Sequence, residues 1–173
     1  MDNQTNSKSI ILNYGLYLGL LGSIIHLILW ASGLLLKFNW INTLVWFAGL
    51  IAFIIIGIKK YRNSNNDLIS WGQGLKIGMG IAMISGVISL VYTLLFTNVI
   101  DPGFQELAMQ VQQQAWADAG LTEEQIESFT ESSKKFQSPG IISALILGMS
   151  AFFGFIVSAI VAAIMKKTEE NDY

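Results

Sequence analysis

The chain has 173 residues and a formal net charge of -2 at pH 7; 53% of its residues are hydrophobic and only 13% are charged. Ordinary globular domains are about one quarter charged, so much of this apolar surface must face something other than water. The negative net charge, without a stripe of basic and aromatic residues, argues against a nucleic-acid partner. The absence of cysteine excludes disulfides, thiol catalysis and thiolate metal sites.

Four long apolar runs dominate the chain. A helix needs roughly 20 apolar residues to cross about 30 Å of hydrocarbon, and each run is about that long or longer. The first run is too long for the apolar core of a signal peptide, so we expect it to be retained. The sequence predicts an all-α integral membrane protein in contact with the lipid bilayer, as a single membrane domain, 1–173, with polar tails 1–9 and 166–173 and transmembrane helices 10–36, 40–58, 77–100 and 141–165.

Basic residues predict the orientation of these helices, since they are enriched in cytoplasmic loops. The turn after the second helix is the most basic, with only Asp67 opposing its positive charges. We therefore expect cytoplasmic N- and C-termini and an outer segment at 101–140. This orientation places three basic residues outside, Lys37, Lys134 and Lys135, and seven inside, Lys8, Lys59, Lys60, Arg62, Lys76, Lys166 and Lys167.

His26, the only histidine, lies deep inside the first predicted helix. Ionisable groups inside membranes are often functional, but no Asp, Glu, Lys or Arg within the apolar runs could form a proton relay with it. One imidazole also cannot form a metal site alone. We expect a neutral histidine that hydrogen-bonds a neighbouring helix, with proton transfer or substrate contact as the alternative. Ser85 and Ser143 are explained in the same way by interhelical hydrogen bonds.

Small residues recur at every fourth position in helices 1, 3 and 4. Such ridges let helix backbones approach closely, which drives association in lipid. We predict packing within one chain, with homodimerisation or a partner's helix as alternatives. The predicted packing residues are Gly15, Gly19 and Ser23, then Gly74, Gly78, Ala82 and Gly86, and finally Ser150, Gly154, Ser158 and Ala162.

A possible internal repeat relates the two halves of the chain. Residues 15–19 and 74–78 share the pattern Gly-Leu-X-X-Gly, and helices 2 and 4 both end in two lysines. One hypothesis is a duplicated two-helix hairpin, as in transporters built from parallel repeats. The alternative is that apolar sequences of low complexity align easily with one another.

The outer segment is predicted to form a helical hairpin. Asp101 suits an N-cap, Gly120 suits a helix end, and Thr122 with Gln125 fits a capping box. Apolar stripes at 104–115 and 126–136 predict that the two helices pack together. Besides Asp101, the segment carries acids that form either a solvated face or a docking surface for a basic partner or divalent cations: Glu106, Asp118, Glu123, Glu124, Glu127 and Glu131.

The chain contains no phosphate-binding loop, zinc-binding HExxH, nucleophile elbow or dinucleotide fingerprint. We therefore expect no enzymatic activity, cofactor or metal. The leading hypothesis is an interaction or assembly protein that uses its acidic outer hairpin and small-residue helix faces, with an envelope protein or a second copy as partner. The alternative is a small oligomeric transporter or channel with a path near His26.

Several of these features together resemble a bacterial membrane family, domain of unknown function 4199, found mainly in Bacteroidota. They are the basic turn before helix 3, the segment 74–78, Asp101-Pro102, the stretch 120–126, and 134–136. The resemblance covers nearly the whole chain and implies a bacterial inner-membrane location. It implies no catalytic or binding residues.

Overall fold

The computed structural model describes residues 7–168, which form six α-helices. The parts of the predicted polar tails at 1–6 and 169–173 lie outside the described residues. Four helices are long and apolar enough to cross a membrane, α3 together with a π-helical turn. The predicted fold class, all-α with four transmembrane helices, is thus confirmed. The helices are α1 (Ser7–Ala31), α2 (Asn39–Ser64), α3 (Trp71–Leu95), α4 (Phe104–Asp118), α5 (Glu123–Phe136) and α6 (Pro139–Met165), with the π-helical turn at Phe96–Ile100.

The chain divides into two compact units, where the sequence suggested a single domain. The four-helix unit comprises residues up to Ser89 and from Leu147 onwards, and so contains α1, α2 and most of α3 and α6. The hairpin unit comprises Leu90–Ile146 and contains α4 and α5. Both α3 and α6 contribute residues to each unit.

Helix α1 ends at Ala31, five residues before the predicted limit of the first span. Gly33 has a φ of +70°, which favours glycine because it lacks a Cβ. The amide of Gly33 donates to Trp30 O (2.9 Å), and that of Leu34 donates to Leu29 O (2.9 Å). This is a Schellman motif. The sequence remains apolar beyond Ala31, so hydropathy alone could not locate this end of the helix.

Helix α3 packs against α1 through alternating glycine and isoleucine contacts. Ile11 lies against Gly80, Ile84 against Gly15 and Ile88 against Gly19, where an added Cβ would come within 2.6 Å of the Ile88 Cβ. Each contact advances in the same direction along both helices, so α1 and α3 run parallel. The absence of a side chain on one helix provides the space for an isoleucine on the other.

Helix α2 is antiparallel to both α1 and α3. Ile54 and Ile58 lie against Gly78 and Gly74 of α3. Conversely, Ile81 of α3 reaches Gly57 of α2. A Cβ added at Gly57 would lie 2.7 Å from the Ile81 Cδ1. Ile54, Ile58 and Ile81 are completely buried, so the core of the four-helix unit lies where α3 meets α1 and α2.

These contacts do not support the duplicated-hairpin hypothesis, which remains a prediction. Gly15 and Gly74 occupy equivalent positions in the proposed repeat. Gly15 contacts α3, which belongs to the other half, whereas Gly74 contacts Ala162 of α6, its partner in the same half, as well as Ile58 of α2. Equivalent glycines therefore serve different kinds of interface.

The caps of the hairpin confirm most of the predicted local chemistry. Gly120 has a φ of +85°, and the amides of Gly120 and Leu121 close a Schellman motif on Ala117 O (2.9 Å) and Trp116 O (3.1 Å). The Thr122–Gln125 capping box is present in both directions. The predicted N-cap at Asp101 is wrong: α4 begins at Phe104 with Gly103 as N-cap, after a turn in which the Phe104 amide donates to Asp101 O (3.2 Å).

Replacing Thr122 by alanine tests this cap. We expect the substitution to destabilise the first turn of α5 by about 1 kcal/mol, because the Gln125 amide loses its side-chain acceptor. Hydrogen exchange of the amides in that turn should become faster. Ser132→Ala, at an exposed position in the same helix, is the control; equal exchange in the two variants would contradict a capping role.

Candidate functional site

The predicted small-residue ridges of α3 and α6 interlock in one antiparallel register. A Cβ added at Gly74 would lie 2.7 Å from the Ala162 Cβ, and one added at Gly86 would lie 2.6 Å from the Ser150 Oγ. Each step of four residues forward in α3 meets a step of four residues backward in α6. The structure therefore brings together all eight predicted residues of these two helices, in the pairs Gly74–Ala162, Gly78–Ser158, Ala82–Gly154 and Gly86–Ser150.

The buried serines contribute by their small size. Ser158 and Ser85 are completely buried, and their hydroxyls make no hydrogen bond within residues 7–168. Ser23 donates to Gly19 O of its own helix (2.9 Å) and Ser143 donates to Pro139 O of its own helix (2.7 Å). The expected interhelical hydrogen bonds of Ser85 and Ser143 are thus not formed, and close packing holds these helices together.

His26 is half-buried in α1, one turn from the buried Ser23. A groove of about 800 Å³ runs along α2 and is lined by residues that include Trp40, Thr43 and Phe47; His26 is not among them. In residues 7–168, no group of three or more His, Asp or Glu side chains could hold a metal ion.

The turn between α2 and α3 is joined to the end of α6 by a contact that the sequence did not predict. Ile69 and Lys167 form an isolated antiparallel bridge, with N–H···O distances of 2.8 and 2.9 Å. Asp67 accepts from Lys167 Nζ and lies 2.8 Å from Arg62 Nε. The indole N–H of Trp71 donates to Ala159 O (3.1 Å). We call Arg62, Asp67, Ile69 and Lys167 the turn clamp.

Only one sequence feature pointed towards the turn clamp: Asp67 is the single acid in a strongly basic turn. Asn66 and Asp67 have φ values of 52° and 60°, a conformation that Asn and Asp adopt more readily than most residues. Ile69 is 2% exposed, so the turn also buries an apolar side chain. Pairing with a residue a hundred positions away could not be inferred from local patterns.

Replacing Asp67 by asparagine should loosen the turn clamp. The hydrogen bond from Lys167, with the nearby charge of Arg62, lowers the pKa of Asp67 below its ordinary value of 3.8. Its contribution to stability is therefore complete above that value and is lost as the pH falls through the lowered pKa. At neutral pH we expect faster hydrogen exchange of the Ile69 and Lys167 amides in Asp67→Asn but not in Asn63→Ala. Unchanged protection would show that the backbone bridge holds without the charges.

The acidic hairpin exposes both charged and apolar side chains. All six predicted surface acids are exposed, and they form no ion pair within the described part of the chain. Asp118 accepts a hydrogen bond from Gln114 Nε2 (2.9 Å). Leu107, Val111 and Phe129 are 47–49% exposed and Phe136 is 60% exposed, so the predicted apolar stripes are only partly used between α4 and α5.

An aromatic contact and a side-chain hydrogen bond join α4 to α5. The rings of Trp116 and Phe129 meet at 5.5 Å in an edge-on arrangement. Gln113 Nε2 donates to Thr130 Oγ1 (2.9 Å), and Thr130, the buried residue of α5, donates to Ile126 O (2.7 Å). The hairpin therefore has a small core, which leaves much of its apolar surface open.

The long apolar helices and their glycine-mediated packing define a multi-pass α-helical membrane protein. The chain belongs to the family described as "Protein of unknown function (DUF4199)", which it matches over residues 13–167. That match includes α2, α3 and α6 completely and α1 from Asn13 onwards, and it ends at Lys167 of the turn clamp. No curated protein and no solved structure matches the chain.

Proposed function

We propose that this chain is a non-enzymatic interaction or assembly protein of the bacterial cytoplasmic (inner) membrane, and that its acidic hairpin is the docking surface. The observation that carries the proposal is the surface of α5. Glu124, Glu127 and Glu131 share one face of this helix, are exposed and form no ion pair within residues 7–168. Phe129, on the opposite face, is 47% exposed. A helix that exposes both charged and large apolar side chains is typical of an interaction site.

The chemistry of this surface favours a basic partner with apolar anchor residues. Acidic groups attract and orient a positively charged partner and set the salt dependence of association, while Phe129 and Phe136 offer apolar area for burial. The exposed Leu107 and Val111 extend the same mixed character to α4. The small-residue ridges of α3 and α6 are already used within the chain, so we assign assembly to the hairpin.

The basic residues support an orientation with both termini in the cytoplasm and the hairpin outside. The turn clamp places the α2–α3 turn beside the end of α6. Lys59, Lys60, Arg62 and Lys166 therefore gather near one end of the four-helix unit, and such clusters favour the cytoplasmic side. A protease added to intact spheroplasts should then cleave within 101–138 and leave the α2–α3 turn intact.

Photocrosslinking in cells tests the docking surface. Benzoylphenylalanine would replace the exposed residue at position 136 in two proteins. One keeps all its acidic residues, and the other has Glu123, Glu124, Glu127 and Glu131 replaced by glutamine. We expect a heteromeric product that weakens in the variant, because the attraction to a basic partner is lost. The control is the double variant Gln112→Ala with Ser132→Ala, which changes exposed uncharged residues of α4 and α5.

Two outcomes would count against this proposal. An unchanged set of products in the four-glutamine variant would remove the acids from recognition. Crosslinks formed only to other copies of the chain would favour the alternative, an oligomeric transporter or channel with a path near His26. His26→Ala would then be expected to alter transport while leaving the protein folded.

A further inference from the structure

The hairpin unit contains a polar groove of about 470 Å³ between α4 and α5. This volume lies in the range of small-ligand sites, roughly 300–1,000 Å³. Four glutamines line the groove: Gln105, Gln110 and Gln113, with Gln137 just after α5. Gln105, Gln113 and Gln137 are half-buried, so these lining residues are partly shielded from solvent.

Most of these amide groups are available to a ligand. Gln113 uses its Nε2 on Thr130, which leaves its carbonyl oxygen as an acceptor. The side chains of Gln105, Gln110 and Gln137 form no hydrogen bond with any other described residue. Each glutamine amide offers two donors and one acceptor oxygen. The groove therefore presents both donors and acceptors along its length.

The groove also carries one charge of each sign. Glu106 comes from α4 and Lys134 from α5, and both line the groove. Neither takes part in an ion pair within residues 7–168. Two opposite charges that share a groove without pairing are suited to a ligand that also carries both signs, because each charge then meets its complement.

We propose that this groove binds an extended peptide segment that carries one basic and one acidic side chain. A peptide backbone alternates N–H donors and C=O acceptors, which matches the glutamine amides. The apolar lining comes from Met109 and Pro102, and no aromatic ring lies among the lining residues. A ring would provide the stacking platform on which bases bind, so the lining favours a peptide. This inference rests on the proposed function, since it specifies what the same hairpin recognises.

Charge exchange in the groove tests this inference. The full-length protein, purified in detergent, would be titrated with fluorescent capped pentapeptides that contain Lys-Ala-Glu or Glu-Ala-Lys, and with a matched peptide that has glutamine at both positions. Alternate residues of an extended peptide point to the same side, so both charges can face the groove. We expect one mixed-charge peptide to bind at least about tenfold more tightly than the uncharged one, a difference of roughly 1.4 kcal/mol.

The variants identify which residues recognise the peptide. Glu106→Lys and Lys134→Glu should each abolish the tenfold preference, and the double exchange should transfer it to the peptide with the opposite charge order. Glu127→Lys with Lys135→Glu, which makes the same exchange outside the groove, should leave it unchanged. Gln110→Ala keeps the charges of the groove and should lower the affinity for all three peptides severalfold. Circular dichroism and gel filtration would verify that each variant is folded.

The inference would be overturned if no peptide bound below millimolar concentration, or if the exchange outside the groove had the same effect as the exchange within it. Tighter binding of a neutral oligosaccharide than of any peptide would also overturn it. Failure here is separable from failure of the proposed function. If a heteromeric crosslink at position 136 persists without peptide binding, only the groove inference fails, whereas absence of that crosslink contradicts the docking proposal itself.

Discussion

Replacing Gly154 by isoleucine is expected to have the largest effect on the stability of this protein. A side chain at this position would overlap the Cβ of Ala82 in α3. The neighbouring pairs, Gly78–Ser158 and Gly86–Ser150, are also in close contact, so neither helix can move aside locally. Overpacking typically costs about 1–3 kcal/mol and sometimes more. We expect a marked loss of thermal stability in detergent, measured by the recovery of monodisperse protein after heating.

The same helix provides a matched control. Gly148 has no neighbour within 4 Å of an added Cβ, so Gly148→Ile adds the same side chain without a clash. A sharper test exchanges the two sizes: Gly154→Ala should destabilise the protein, and Gly154→Ala with Ala82→Gly should recover much of the loss. If the double variant were no more stable than Gly154→Ala alone, the register of α3 and α6 would be wrong.

Replacing Ile81 by alanine should have the second largest effect. Ile81 is completely buried, and its Cδ1 fills the space left by Gly57 in α2. In soluble proteins such a truncation costs about 2–5 kcal/mol, part of which is the transfer from water. In a bilayer the separated helices remain in hydrocarbon, so mainly the packing part is lost. We expect a loss near the lower end of this range, about 2 kcal/mol.

Unfolding of the reconstituted protein by a denaturing detergent would measure that loss. Ile160→Ala is the control, because Ile160 lies in α6 with 56% of its surface exposed. If both substitutions cost the same, isoleucine would contribute through exposure to lipid or through helix propensity, and the close contact between α2 and α3 would contribute little.

The interface between α3 and α6 shows how far the sequence could predict a packing surface. Spacing of small residues identified both ridges, including Gly78 and Ser158, because close backbone approach requires them regardless of the partner. The pairing of α3 with α6 and its register could not be predicted, since every ridge is compatible with several partners and with a second copy. The roles of Ile84 and Ile88, which fill the gaps left by Gly15 and Gly19, were also missed because isoleucine is common throughout the apolar runs.

The candidate docking site was predicted in part. Its acids and the capping box at Thr122 follow from local sequence, since caps involve residues only three positions apart. The groove was not predicted, because Gln105 and Gln137 lie on different elements and look like ordinary polar residues. The turn clamp was missed for the same reason: Asp67 meets Lys167 only after α6 has returned to the α2–α3 turn.

The sequence by itself determined the class of this protein and the boundaries that depend on backbone chemistry. Long apolar runs require a membrane, and Gly120 with Thr122 divides the hairpin into two helices. Tertiary structure decided which helices meet and in what register. It also decided where an apolar run stops being helical, as at Gly33. The physical reason is that lipid favours every apolar helix equally, so specificity comes from the fit between side chains that are distant in sequence.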